Sequence, residues 1–301
     1  MLASSALVAL AFGSFAPNFY AHGLQTSGDL PSCALTYAPV IHLSSREGYW
    51  PSDPAVHLQH VIAKKNDGSI DKAAPNPLTL ANLNYRGSNE NTWLTSKDDI
   101  TVEPKAEWLR STYGKPGKGR KSAAPATIIV IDKSDIIKPG YVDVYYSLFY
   151  NWEAILIRFL NGKPQSIHYS QHEDGTAYTY AATDKVGSRP LVFVSRGGHA
   201  NFPTSGPRDS LFDRTDKGPA WDITCNYVAY WYSKSKGFVP VTGNKVPTGW
   251  LEYIGRWPWG NKESKADPLV YANGIPGPIG HNLARKTMCQ FSDCPIKKSI
   301  K

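Results

Sequence analysis

Glu153-Ala-Ile-Leu-Ile-Arg-Phe-Leu160, Asn161-Gly162, Lys163-Pro-Gln-Ser-Ile-His-Tyr-Ser-Gln-His172 is the stretch that decides the fold. Its first segment is an apolar run of strand length. Asn-Gly then supplies the two residues that tolerate positive φ, the chemistry of a two-residue type I′ turn. The second segment returns as the partner strand, so the whole reads as a β-hairpin.

Working outward, the same character extends on both sides. Thr127-Ile-Ile-Val-Ile131 and Tyr141-Val-Asp-Val-Tyr-Tyr-Ser-Leu-Phe149 precede the hairpin, and Pro190-Leu-Val-Phe-Val-Ser195 follows it as a nearly continuous apolar run suited to a strand buried on both faces. Further strands are expected at Tyr37–Leu43, Cys225–Tyr232 and Gly249–Ile254. Asp53-Pro54 offers an N-cap and an N1 proline for a short helix through about Ile62. Residues 63–125 are polar and read as long loops packed on the core, with Gly114–Pro125 the best linker candidate. The fold class this predicts is mainly β, a β-sandwich-like single large domain with long loops and a few short helices. Residues 17–125 form its N-terminal strand, helix and loops, and residues 126–301 its β-rich core.

Composition agrees with a globular chain. Of 301 residues, 41% are hydrophobic and 19% charged, and nine Trp and seventeen Tyr against two Met favour pleated sheets and binding surfaces over a helical bundle. The net charge of +8 would suit an anionic partner, such as an anionic membrane surface. Much of the excess, however, lies in Lys115–Lys121 and in Lys297, Lys298 and Lys301, which read as solvated stretches, and no nucleic-acid motif accompanies them. Residues 1–16 form an apolar run too short to span a bilayer and suited to the core of a signal peptide; a buried N-terminal helix is the competing reading. A secretory route makes disulfides expected among Cys33, Cys225, Cys289 and Cys294. Three connectivities are open. The nearness of Cys289 to Cys294 favours a small C-terminal loop, which leaves Cys33 to Cys225. Without a Cys-x-x-Cys pair or a neighbouring His, a zinc set is disfavoured.

Chemistry-bearing residues collect at the open end of the hairpin. A two-residue turn sets Leu160 opposite Lys163 and Glu153 opposite Ser170, with His168 and His172 diagonal to Glu153 on one face. One carboxylate and two imidazoles form a ligand set for a divalent cation, or an acid–base set. The plain alternative is an ordinary polar strand face, and a bulge would undo the register. Gly197-Gly198-His199, after the apolar run, could present His199 from a strand end beside this cluster.

Tyr37-Ala-Pro-Val-Ile-His-Leu43, Glu47-Gly-Tyr-Trp-Pro-Ser52, Asn161-Gly-Lys-Pro, Ser170-Gln-His172, Gly198-His-Ala200, Asp213–Asp222 and Pro247-Thr-Gly-Trp250 together resemble the vacuolar protein sorting-associated protein 62 family, found in fungi and related to plant proteins of unassigned function. The resemblance implies a role linked to protein targeting to the vacuole; together with the signal-peptide reading, it makes the secretory pathway, the vacuole lumen or the cell exterior the expected location. It brings no established catalytic residues. Where that family carries His-x-Gly-Asp-Trp-Glu before the hairpin, this chain has a shorter loop that keeps only Trp152 and Glu153. The longer motif is similar to one in necrosis-inducing secreted cytolysins, which hold a divalent cation. Three functions stay open: a lumenal sorting or binding protein, a metal-dependent hydrolase or lyase on a polysaccharide, and a cation-dependent membrane binder.

Overall fold

The computed structural model describes residues 28–87, 92–100, 102–149, 152–172, 174–207, 213–257 and 275–300. The expected signal peptide, residues 1–16, lies outside them. Among the described residues no helix is long and apolar enough to cross a membrane. In chain order the elements begin with helix α1 (Ser32–Thr36), β1 (Val40–His42), helix α2 (Pro54–Leu58), β2 (Val61–Lys65) and β3 (Thr92–Ser96). Next come β4 (Ala126–Asp132), β5 (Tyr141–Ser147), β6 (Ala154–Leu160), β7 (Lys163–Tyr169) and β8 (Thr176–Thr179). After these lie β9 (Lys185–Val186), β10 (Arg189–Val194), β11 (Asn201–Phe202) and β12 (Ala220–Asp222). The last are β13 (Tyr227–Ser233), β14 (Gly237–Pro240), β15 (Arg256–Trp257), β16 (Ile275–Pro276) and β17 (Ile296–Lys297).

The frame is an eight-stranded sheet in the order β14-β13-β4-β5-β6-β7-β8-β17. Its strands pair antiparallel except β13 with β4 and β17 with β8. Both faces are covered, which is why β4 to β6 are apolar at nearly every position instead of alternating. One face, carrying Ile128, Val144, Tyr146, Ile155, Ile157 and Ile167, packs on Ile41, Val192, Val194 and Trp221 of a second sheet ordered β11-β10-β1-β12, with β9 beside β10. The other face, carrying Ile129, Ile131, Tyr145 and Leu156, packs on Leu58, Val61, Ala63 and Leu94 and on Trp250 and Trp257. Those residues belong to α2, to the small sheet β16-β15-β3-β2 and to its flanking loops. The predicted sandwich is therefore a single β domain of three layers. Each fully buried Ile or Val contributes about 1.5–3 kcal/mol, so Ile157, which is inaccessible to solvent, is a site where truncation is costly.

Several local expectations change. The helix predicted through Ile62 stops at Leu58, because β-branched Val61 and Ile62 pair with Ser96 and Thr95 of β3 and a five-residue helix has little cohesion of its own. Its Asp53 cap is present, the carboxylate accepting from the Ala55 amide at 2.8 Å. The strand predicted over 37–43 shortens to Val40–His42, since Tyr37 ends α1. Gly249–Glu252 is a 3-10 turn and not a strand. Adjacent Trp250 and Leu251 are both buried in one core, which an alternating strand would forbid. The 114–125 segment is tied down at its ends. Ser122 Oγ donates to the Gly114 carbonyl at 2.8 Å, and Asn226 Nδ2 donates to the Ala123 carbonyl at 2.7 Å. Residues 117–121 between these ties are exposed.

Of the two expected disulfides only Cys289–Cys294 forms. Cys33 is buried in the first core and Cys225 is exposed, both as free thiols. Even parity and proximity in sequence could not reveal that separation.

Candidate functional site

The hairpin turn is as read: Asn161 and Gly162 take φ of 50° and 73°, and Leu160 pairs with Lys163. The register then breaks. Phe159 pairs with Pro164 but Arg158 with Ser166, so Gln165 is a bulge on the exposed tip of β7. Beyond it every partner moves by one residue. Ser170 donates its amide to the carbonyl of Ala154 at 3.1 Å, and does not stand opposite Glu153.

Glu153 and Ser170 meet all the same, the serine hydroxyl donating to the carboxyl group. Left-handed backbone at Trp152 (φ 61°) and His172 (φ 48°) turns both chains out of strand geometry at this end, and the His172 amide also donates to Glu153. The Glu153 carboxyl is buried. Burial pushes it up to about 8, the His172 amide opposes that rise, and the charge of Asp213 adds to it. Glu153 therefore carries a proton at neutral pH.

The two histidines part company. His172 turns a half-exposed ring to Asp213, with Nε2 2.9 Å from Oδ2. His168, opposite Leu156, is buried in the second core, where its Nε2 lies 2.6 Å from the Asp174 carbonyl oxygen. Burial, followed by the charge of Arg285, pushes His168 down to about 4. The three-ligand set Glu153, His168 and His172 does not assemble as a coordination shell. Among the described residues the group with metal-ligand spacing is His168, Asp174 and Cys289.

His199 is brought alongside. It adopts φ 56° in the turn after β10, and its Nε2 lies 3.3 Å from Oε2 of Glu47. Glu47 accepts the amides of Gly48 and Tyr49 at 2.9 Å and of Gly197 at 3.1 Å. Burial opposes its ionisation, but the His199 ring and these amides outweigh that and hold its carboxyl below the ordinary value. Asn201 joins the two halves. Its amide donates to the Ser170 carbonyl at 2.9 Å, and its own carbonyl accepts from Gln171 Nε2 at 2.7 Å. Among the described residues neither end of the fully buried Asn201 side-chain amide has a hydrogen-bond partner, and the buried Ser195 hydroxyl is in the same state.

Glu47, Asp213, Asn201 and Ser195 were not singled out by sequence reasoning. The signal was present for the two acids, since each sits in a stretch shared with the family, but neither has a local pattern that links it to the hairpin.

The chain is 30% identical over 355 aligned residues to a Saccharomyces cerevisiae protein provisionally named vacuolar protein sorting-associated protein TDA6, covering 92% of this chain and 74% of that one. It is 28% identical over 348 residues to vacuolar protein sorting-associated protein 62 of the same yeast, covering 92% and 73%. A β-rich protein of the vacuolar-sorting kind is thus defined across nearly the whole chain. It belongs to the vacuolar protein sorting-associated protein 62 family. No family model and no solved structure matches it. The aligned spans exceed the chain's 301 residues, so the relatives carry internal segments that this protein lacks.

Proposed function

We propose that this protein works in the lumen of the secretory pathway, in the delivery of proteins to the vacuole, and that the cluster of Glu47, Glu153, Ser170, His172, His199, Asn201 and Asp213 is its binding site for a polar ligand. The role follows from the relatives' names. The site rests on one observation: among the described residues the buried Asn201 side-chain amide and Ser195 hydroxyl have no hydrogen-bond partner, and the Asn201 backbone is bonded to Ser170, whose hydroxyl donates to the Glu153 carboxyl group. Buried amides and hydroxyls are nearly always paired, and a hydroxyl-rich ligand such as a glycan offers both donors and acceptors. The expected divalent cation is not part of this reading, because Glu153, His168 and His172 do not form one ligand shell.

The test is genetic. In a strain deleted for the gene, a vacuolar hydrolase is expected in the medium. The wild-type chain restores delivery, and Asp213→Asn, which removes the carboxylate partner of the half-exposed His172 ring, restores it poorly despite normal protein levels. Normal delivery in the deletion strain overturns the role; full rescue by Asp213→Asn overturns the site.

A hydrolase or lyase reading is favoured by one feature. A carboxyl held near 8 is still an acid at the pH where a glycosidic oxygen must be protonated. Failure of the purified protein to cleave any member of a broad polysaccharide panel removes that reading and leaves the binding role standing.

A further inference from the structure

A second constellation uses none of the side chains assigned to the Glu153 site. His168, Asp174 and Cys289 each bring one ligand-type atom to within 4.8 Å of the others. The C-terminal strap carrying Cys289 and Cys294 folds over the turn at Asp174. The Phe291 amide donates to one Asp174 carboxylate oxygen at 2.9 Å and the Ser292 hydroxyl donates to the other. Gly175 (φ +92°) makes the approach possible. A Cβ there would lie 2.2 Å from the Tyr169 carbonyl oxygen and 2.8 Å from His168 Nε2, so a side chain would push the turn off the histidine. His168 is buried, and its Nε2 lies 2.6 Å from the Asp174 carbonyl oxygen, which can only accept, so Nε2 carries the ring proton and Nδ1 keeps the lone pair that a metal takes.

We propose that this strap is a redox-gated site for a zinc-type cation, closed by the Cys289–Cys294 disulfide and opened by its reduction. A dithiol-class reductant delivers two electrons, the Sγ–Sγ bond breaks, the reductant leaves as its own disulfide, and Cys289 and Cys294 become thiols. Each thiol gives its proton to solvent as it binds the cation. The resulting set is two thiolates, one imidazole and one carboxylate, with Cys-x4-Cys spacing. That is a tetrahedral set suited to zinc. In the oxidised protein both sulfurs are spent on each other. Disulfide and metal are alternative locks on the same strap, so that the C-terminal segment stays fastened in either redox state.

The full chain carrying Cys225→Ser, which removes the exposed thiol, is reduced with a phosphine, freed of reductant under nitrogen and titrated with cobalt(II) alone. The reduced protein is expected to give tetrahedral d–d bands and thiolate-to-metal charge transfer at one equivalent, reversed by zinc, and the oxidised protein neither. His168→Ala and Asp174→Ala each weaken cobalt binding at least tenfold. Because either variant could fail to fold, zinc protection of Cys289 and Cys294 from alkylation is measured by mass spectrometry in the unsubstituted reduced chain. The proposal is overturned by the absence of a tetrahedral spectrum in the reduced protein, by spectra unchanged in both variants, or by alkylation of these two cysteines at the same rate with and without zinc.

Discussion

Glu153→Gln is the most informative single change. Glutamine keeps an acceptor for the Ser170 hydroxyl and the His172 amide but cannot ionise. In the folded chain the Glu153 carboxyl is raised from about 4.5 to about 8, so the folded state holds its proton where the unfolded state has lost it. Stability from this group is complete below the unfolded value and is lost as pH rises through the folded one. With roughly 1.36 kcal/mol per pH unit of offset, the penalty relative to an unperturbed carboxyl is less than about 1 kcal/mol at pH 5. It grows to about 3 kcal/mol at pH 7 and reaches a ceiling of about 5 kcal/mol above pH 8. Glu153→Gln removes it. Thermal melts of both proteins with a chelator at pH 5, 7 and 8.5 should show nearly equal Tm at pH 5 and a variant higher by roughly 6–12 °C at pH 7, using about 2–4 °C per kcal/mol for a domain of this size. Buried His57, His168 and His281, pushed down by desolvation, pull the other way as pH falls, but they are common to both proteins and cancel in the difference. A constant Tm gap across pH, or a variant that loses ground as pH rises, would refute the assignment of a buried proton to Glu153.

Two further outcomes follow from the second core and from the thiols. Asp143 is inaccessible to solvent, takes Arg158 in a two-point fork at 2.7 and 2.8 Å, and lies 3.4 Å from Lys133 Nζ; Asp143→Asn leaves two cations with no countercharge and should cost about 3–5 kcal/mol in urea unfolding. In a thiol assay without reductant the native protein should show one fast thiol, Cys225, and the denatured protein two, with Cys33 released from the core.

The hairpin and the central strands were legible because their signals are local: an Asn-Gly turn, and apolar runs too long for loops and dense in β-branched residues. Gln165 was not legible. Nothing in Lys163-Pro-Gln-Ser marks the extra residue, yet it moves His168 from the face of Glu153 into the second core. Asp213 and Glu47 escaped for the complementary reason. They reach the site from 41 residues after His172 and 150 residues before Gly197, and no periodicity links positions so far apart. The site is a product of sheet order, and sheet order is set by long-range packing.

The central sheet also dictates how its lineage can change in size. Strands β4 to β6 are clamped between two apolar layers, so an inserted residue would exchange the side chains of one layer for those of the other and unsettle both at once. Additional length in the relatives then belongs to the connections at the rim, where the Glu153 cluster also resides. Evolutionary gain or loss of segments in this family is therefore a change of mouth on a constant body, and a chain trimmed just before Glu153 keeps its architecture while presenting a different opening.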